Sequence, residues 1–102
     1  MDNLYYIRNV GCDDETVGLV RLTDEQLDFL KPIIENLNKN STYGCMPTMY
    51  VYKIDEDMIR EATDEEREDR MDRIMYLEGK EYVLKDGIRT WDDEFEERKV
   101  IG

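Results

Sequence analysis

The hydrophobic positions of residues 1–54 fall into three short runs and one helical period. The apolar and aromatic residues of 4–10 predict a first strand, and the turn residues of 11–15 separate it from a second strand over 17–22. These two strands are expected to pair as a hairpin. A third strand is predicted over 49–54, with alternate residues on opposite faces. Its faces are Met49, Val51 and Lys53 on one side and Tyr50, Tyr52 and Ile54 on the other.

A helix is predicted to begin after Thr23. Thr23 and Gln26 have the spacing of a capping box, and Leu22 and Leu27 have that of a hydrophobic staple. The apolar stripe of the helix follows a helical period and consists of Leu27, Leu30, Ile34 and Leu37. Pro32 lies inside this period, so we expect it to kink or divide the helix, which ends over 38–41.

A long polar segment, 55–76, is predicted to be helical, with a possible break near Ala62. Thr63 and Glu66 have the spacing of a second capping box. Within this segment, Glu66 with Arg70 and Asp69 with Arg73 are expected to form ion pairs one helical turn apart.

Short strands are predicted after this segment, over 76–84 around Gly79 and Lys80 and over 88–91. Asp86 and Gly87 form a tight-turn signal between them. The resulting order, β-β-α-β-α-β-β, predicts a single α+β domain over 1–102, in which a small antiparallel sheet packs against two helices.

Charge is distributed unequally along the chain. Its 26 acids and 14 bases give a net charge of −12, and residues 55–102 contribute −9 of it. The range 55–72 alone holds 10 acids and 3 bases. A hydrophobic content of 40% with seven tyrosines is too high for a disordered acidic tail, so we expect a folded domain that attracts basic partners.

The chain lacks the residues that several kinds of catalytic and binding site require. The chain contains no histidine, which removes the commonest general base, the Ser-His and Cys-His dyads and most transition-metal sites. No phosphate-binding glycine loop occurs. The acids of 13–15 and 55–57 do not have the spacing of an EF-hand loop. We therefore expect a protein that is not an enzyme and that has no cofactor and no metal.

The acidic segment is interpreted as a partner-binding surface that mimics DNA. As a helix, the 18 residues of 55–72 would span ~27 Å, about one acid per 2.7 Å, against about one charge per 1.7 Å of duplex axis. The alternative is that these carboxylates are merely solvated. The predicted binding carboxylates are Asp55, Glu56, Asp57, Glu61, Asp64, Glu65, Glu68, Asp69, Asp72, Asp92, Asp93, Glu94, Glu96 and Glu97. Trp91 and Phe95 are predicted to be aromatic anchors of the same interface.

A second candidate site is the loop of 41–48. Ser41, Thr42, Tyr43 and Gly44, with Arg8 and Arg21, are the residues predicted for an alternative site that binds a small anion or a nucleotide signal. A helix-to-strand connection also needs this composition for structural reasons. A third possibility is a self-associating structural or assembly factor in which tyrosine, methionine and tryptophan form a homodimer interface.

The location is expected to be cytoplasmic. The residues after Met1 lack the pattern of a signal peptide, and no apolar run is long enough to span a membrane. In that compartment Cys12 and Cys45 are expected to be reduced thiols, although pairing between them is left open. We expect neither membrane binding nor direct binding of nucleic acid.

In size, charge and architecture the whole chain resembles the small, acidic, single-domain proteins encoded by bacteriophages. Within that group it is similar to inhibitors of host defence, such as anti-restriction, anti-CRISPR and uracil-glycosylase inhibitor proteins. The resemblance implies a non-enzymatic inhibitor that occupies the DNA-binding surface of a basic host protein in the host cytoplasm. It includes no motif, so it assigns no residue.

Overall fold

A computed structural model describes residues 2–11, 14–40, 48–69 and 73–102. Within these ranges the chain forms antiparallel strands, one helix of 16 residues and several short helices. In chain order they are β1 (Asn3–Val10), β2 (Glu15–Leu22), α1 (Asp24–Lys39), β3 (Thr48–Ile54), a 3-10 turn (Glu56–Met58), β4 (Ile59–Glu61), α2 (Asp64–Glu68), β5 (Met75–Leu77), β6 (Lys80–Leu84), α3 (Asp93–Glu96) and β7 (Lys99–Ile101). The predicted α+β class is confirmed.

The first sheet has the strand order β2-β1-β3-β7, and every neighbouring pair is antiparallel. The predicted hairpin of β1 and β2 is confirmed. Consecutive residues of the two central strands are buried, including Leu4, Tyr5 and Tyr6 in β1 and Val51 and Tyr52 in β3. Because side chains alternate along a strand, this pattern requires a cover on both faces of the sheet.

Two apolar clusters supply those covers. One face packs against α1, and the buried residues of that cluster are Tyr5, Leu22, Ile34, Val51 and Ile101. The other face packs against the second sheet and α3, and the buried residues of that cluster are Leu4, Tyr6, Tyr52, Ile54, Met75, Leu77 and Phe95. The molecule is therefore layered, with the first sheet in the middle.

Helix α1 begins as predicted. The hydroxyl of Thr23 accepts a hydrogen bond from the backbone N–H of Gln26 at 3.1 Å, and the Gln26 side chain accepts one from the backbone N–H of Thr23 at 2.8 Å. The predicted division at Pro32 is wrong, since α1 continues to Lys39. Pro32 removes one hydrogen bond to the carbonyl of Asp28, but Asp28 is exposed, so water can replace that donor.

The predicted helix over 55–76 is also wrong. In its place are the 3-10 turn, β4, the five-residue α2 and β5. The reason is non-local: β4 and β5 both pair with β6, so that Ile59 lies opposite Leu84 and Met75 opposite Tyr82. This pairing outweighs the local charge pairs, which contribute only about 0.2–0.5 kcal/mol each. The predicted capping box of Thr63 and Glu66 is present and begins α2.

The second sheet has the order β4-β6-β5. The strands predicted around Gly79 and Lys80 are confirmed as the β5–β6 hairpin. Its two-residue turn has φ of 51° at Glu78 and 81° at Gly79, the positive angles of a type I′ turn. The turn at Asp86 and Gly87 is present, but the strand predicted over 88–91 is wrong. Ile88 packs instead against the apolar cluster that includes Tyr6, Met75 and Phe95, and the next strand, β7, joins the first sheet.

Candidate interaction surfaces

The predicted binding carboxylates are exposed wherever the structure describes them. They lie on the 3-10 turn and its flanks, on β4, on α2 and around α3, and Asp72 lies outside the described residues. Five of them are neutralised by neighbouring cations. These ion pairs are Asp55–Arg98, Glu56–Arg21, Glu61–Lys80, Asp64–Arg67 and Glu96–Lys99.

Eight of the predicted binding carboxylates make no ion pair within the described part of the chain, and we call these eight the open carboxylates. They are Asp57, Glu65, Glu68, Asp69, Asp92, Asp93, Glu94 and Glu97. Three of them belong to α2 or its C-cap, and four belong to α3 or the residues that flank it. Seven of the eight open carboxylates therefore lie at two short helices.

A series of contacts connects these two helices. Arg98, just after α3, forms an ion pair with Asp55 at 3.4 Å, and the backbone N–H of Lys85 donates to the carbonyl of Met58 at 2.9 Å. Arg60 then pairs with Asp86 at 3.6 Å and with Glu66 in α2 at 2.7 Å. The 3-10 turn and the 85–87 turn thus lie between α3 and α2.

Two carboxylates are held ionised by these contacts. The hydrogen bonds from Arg60, with those from Thr63, lower the pKa of Glu66 from 4.5 to about 2. The ammonium of Lys99 lowers the pKa of Glu96 through a hydrogen bond of 2.6 Å. A general acid needs a pKa raised toward neutrality, so these shifts suit structural ion pairs rather than proton transfer.

The two predicted aromatic anchors have different environments. Trp91 is 73% exposed and is available to a partner. Phe95 is 3% exposed and is not, which corrects its prediction as an anchor. Its ring lies 5.4 Å from Tyr6 and 4.9 Å from Tyr52, because the one apolar position of α3 is what fixes this short helix to the first sheet.

The predicted ligand loop lies mostly outside the described residues. Ser41, Thr42, Tyr43 and Gly44 lie outside the described residues, as do Cys12 and Cys45. The two arginines assigned to this site are both engaged elsewhere. Arg8 pairs with Glu15 at 2.5 Å, and Arg21 binds Glu56 and, at 2.7 Å, Glu78. An anionic ligand would have to compete with these carboxylates.

Sequence reasoning missed an apolar surface on α1. Phe29, Ile33 and Leu37 lie one turn apart and are 72%, 45% and 60% exposed. We call these three residues the outer stripe. An open cleft of about 550 Å³ adjoins it, lined by Leu22, Thr23, Glu25, Gln26, Phe29 and Leu30. The sequence predicted one stripe that joined Leu37 to Leu27, Leu30 and Ile34, but the exposed side chain of Leu37 belongs to the outer stripe instead. The i, i+4, i+8 spacing of the outer stripe is present in the sequence.

The described ranges contain neither a cluster of side chains suited to bind a metal ion nor a helix suited to span a membrane. These residues contain no group of three or more acidic or cysteine side chains placed to hold a metal ion. None of the helices among them has the length and apolarity needed to cross a bilayer.

Comparison with protein-family models, with curated proteins and with solved structures found no match to this chain.

Proposed function

We propose that the protein is a non-enzymatic inhibitor, encoded by a bacteriophage, that acts against host defence in the host cytoplasm. Its target would be a basic protein that handles nucleic acid, and its binding surface would be the open carboxylates around α2 and α3. The observation that carries this proposal is that eight of the thirteen described binding carboxylates lack an ion-pair partner in the described residues, and that seven of these eight lie at α2 and α3.

Electrostatics supports a basic partner. A surface of one charge sign raises the rate of encounter with a surface of the opposite sign, and this attraction weakens as salt is added. Carboxylates that already have an internal partner contribute little to such a field. The open carboxylates have none among the described residues, so their full charge is available to lysines and arginines of a partner.

The fold changes the form of the mimicry. A single acidic helix over 55–72 would have presented charges at regular intervals, but this segment contains a strand and two short helical turns instead. The proposal therefore rests on the amount of open charge and on its two centres at α2 and α3. The exposed indole of Trp91, next to Asp92 and Asp93, would supply the apolar contact that charge alone lacks.

The test is to immobilise the protein, pass bacterial lysate over it at low and at high salt, and identify the retained proteins. We expect a nucleic-acid-binding protein that high salt releases. A variant with Glu65→Gln, Glu68→Gln and Asp69→Asn should lose this protein. The matched control changes the net charge equally, through Asp2→Asn, Asp14→Asn and Asp28→Asn, and should retain it. Retention of the same proteins by both variants would contradict the proposal.

A further inference from the structure

We propose that α1 is the interface of a homodimer, in which two copies of the helix pack antiparallel through the outer stripe. The two-fold axis would pass at Ile33, so that Ile33 contacts its own copy and Phe29 faces Leu37 of the second molecule. This interface is separate from the acidic surface, and the inference does not depend on the proposed function.

The apolar arc on α1 is wider than the part that the first sheet covers. At about 100° per residue, Phe29, Ile33, Leu37, Leu30, Ile34 and Leu27 together span close to half of the helix circumference. The first sheet covers the side of Leu27, Leu30 and Ile34, which are buried or half-buried. The side of Phe29 and Ile33 faces solvent, and exposed apolar groups at three successive turns form a patch of the kind that marks interfaces.

The shape of this face is self-complementary. In packed helices, a side chain of one helix enters the space between four side chains of the other, at positions i, i+3, i+4 and i+7. Gln26, Phe29, Leu30 and Ile33 have this spacing, and the first three line the open cleft. An antiparallel alignment about Ile33 places Leu37 of the second copy over this cleft.

Charge favours a second copy as the occupant. Glu25 and Asp28 lie at the start of α1 and Lys39 at its end, and the antiparallel alignment places Lys39 between the level of Glu25 and that of Asp28 of the second copy. Helix α1 carries −2 of the net charge of −12. The second sheet and α3 lie on the face of the first sheet opposite to α1. Contact through α1 therefore keeps the open carboxylates around α3 of one molecule away from those of the other.

The interface would bury a small area, so we expect the affinity between the two copies to be low. A 16-residue helix is about 24 Å long, and three exposed apolar side chains per molecule bury less than the roughly 1,200–2,000 Å² of a standard stable interface. We therefore expect a reversible dimer with a dissociation constant of roughly 1–100 µM.

Sedimentation equilibrium between about 1 µM and 1 mM should show the mass rise from one chain to two. Ile33→Glu should raise the dissociation constant at least about tenfold, because it places a charge at the two-fold axis. Tyr76→Glu adds the same charge at another exposed hydrophobic position, on β5, and should leave the dissociation constant unchanged. A monomeric mass throughout, or equal effects of the two variants, would overturn the proposal. Circular dichroism checks that both variants are folded.

Two further variants test the antiparallel register. Lys39→Glu should weaken the dimer, and Lys39→Glu combined with Glu25→Lys and Asp28→Lys should restore it. With Cys12 and Cys45 replaced by serine, Ile33→Cys should form an intermolecular disulfide, since facing Cα atoms of adjacent helices lie within disulfide reach. Phe29→Cys should cross-link to Leu37→Cys and not to itself. A dimer in which the Ile33→Cys variant forms no cross-link, or the Phe29→Cys variant links to itself, contradicts this arrangement.

Discussion

Glu66 receives two parallel hydrogen bonds from the guanidinium of Arg60, from Nη1 to Oε1 at 2.7 Å and from Nη2 to Oε2 at 3.0 Å. This pair joins α2 to β4, while the same carboxylate accepts from the backbone N–H of Thr63 at the start of α2. A planar fork-to-fork pair is the best-defined geometry available to an arginine and a carboxylate. It gives a five-residue helix, too short to be stable alone, a fixed position on the second sheet.

Acid should remove the contribution of this pair. The pKa of Glu66 is lowered from 4.5 to about 2, so the carboxylate is charged in the folded protein where it would already be protonated in the unfolded chain. Its stabilisation is complete above pH 4.5 and is lost as the pH falls toward 2. Urea unfolding of the protein and of Glu66→Gln should give midpoints that differ at neutral pH and converge in this range. A constant difference would show that the pair is not the cause.

Alkali should act through Tyr6. This residue is 4% exposed, and burial, with the nearby charge of Glu15, raises its pKa from 10.0 to about 12. The unfolded chain therefore loses this proton first, and the fold loses stability as the pH rises from 10 to 12, by roughly 2–3 kcal/mol from this group alone. Tyr6→Phe should remove that part of the pH dependence. An identical slope in the two proteins would contradict this assignment.

The two aromatic residues near α3 should respond very differently to truncation. Phe95→Ala leaves a cavity among the rings of Tyr6 and Tyr52 and should lower the free energy of unfolding by about 3–5 kcal/mol. Trp91→Ala removes a side chain that is 73% exposed and should change it by less than about 0.5 kcal/mol. Chemical denaturation of both variants measures this contrast. Comparable losses would mean that Trp91 packs against the protein.

The hairpin turn of the second sheet gives a test of backbone conformation. Gly79 has φ of 81°, so Gly79→Ala should cost about 1–2 kcal/mol, although nothing lies within 4 Å of the added Cβ. Gly18 has equally open space and no positive φ, so Gly18→Ala should be neutral or stabilise by up to about 1 kcal/mol. Thermal unfolding of the two variants compares them. A similar cost at both positions would point to packing rather than to the backbone angle.

The sequence predicts β1, β2, β3 and the start of α1 correctly because local signals and burial agree there, whereas the division of α1 expected at Pro32 is absent. The capping box of Thr23 begins a helix whose Ile34 is buried, and apolar runs form the central strands. The prediction is wrong over 55–76 because its local charge pattern is helical, whereas Ile59 and Met75 lie in strands that pair with β6. Whether this segment forms a helix or strands is decided by the position of β6 in three dimensions.

The candidate surfaces were predictable to different degrees. The exposure of the carboxylates follows from their charge alone, but their counter-ions do not. Asp55 pairs with Arg98, 43 positions later, and Arg21 reaches Glu56 and Glu78. Similarly, Phe95 and Trp91 look equivalent in the sequence, and only the packing of α3 against β1 and β3 separates a core residue from an exposed one.

The pairing of β7 with β3 has a consequence for synthesis on the ribosome. Residues 48–54 form β3, but its second neighbour is made only after about 45 further residues, which include the whole of the second sheet. At a typical rate of about 5–20 residues per second, the N–H and C=O groups along that side of β3 are open for several seconds. Such an edge can pair with another nascent chain. The synthesis of β7 is what closes this edge, because β7 is the strand that pairs with it in the folded chain.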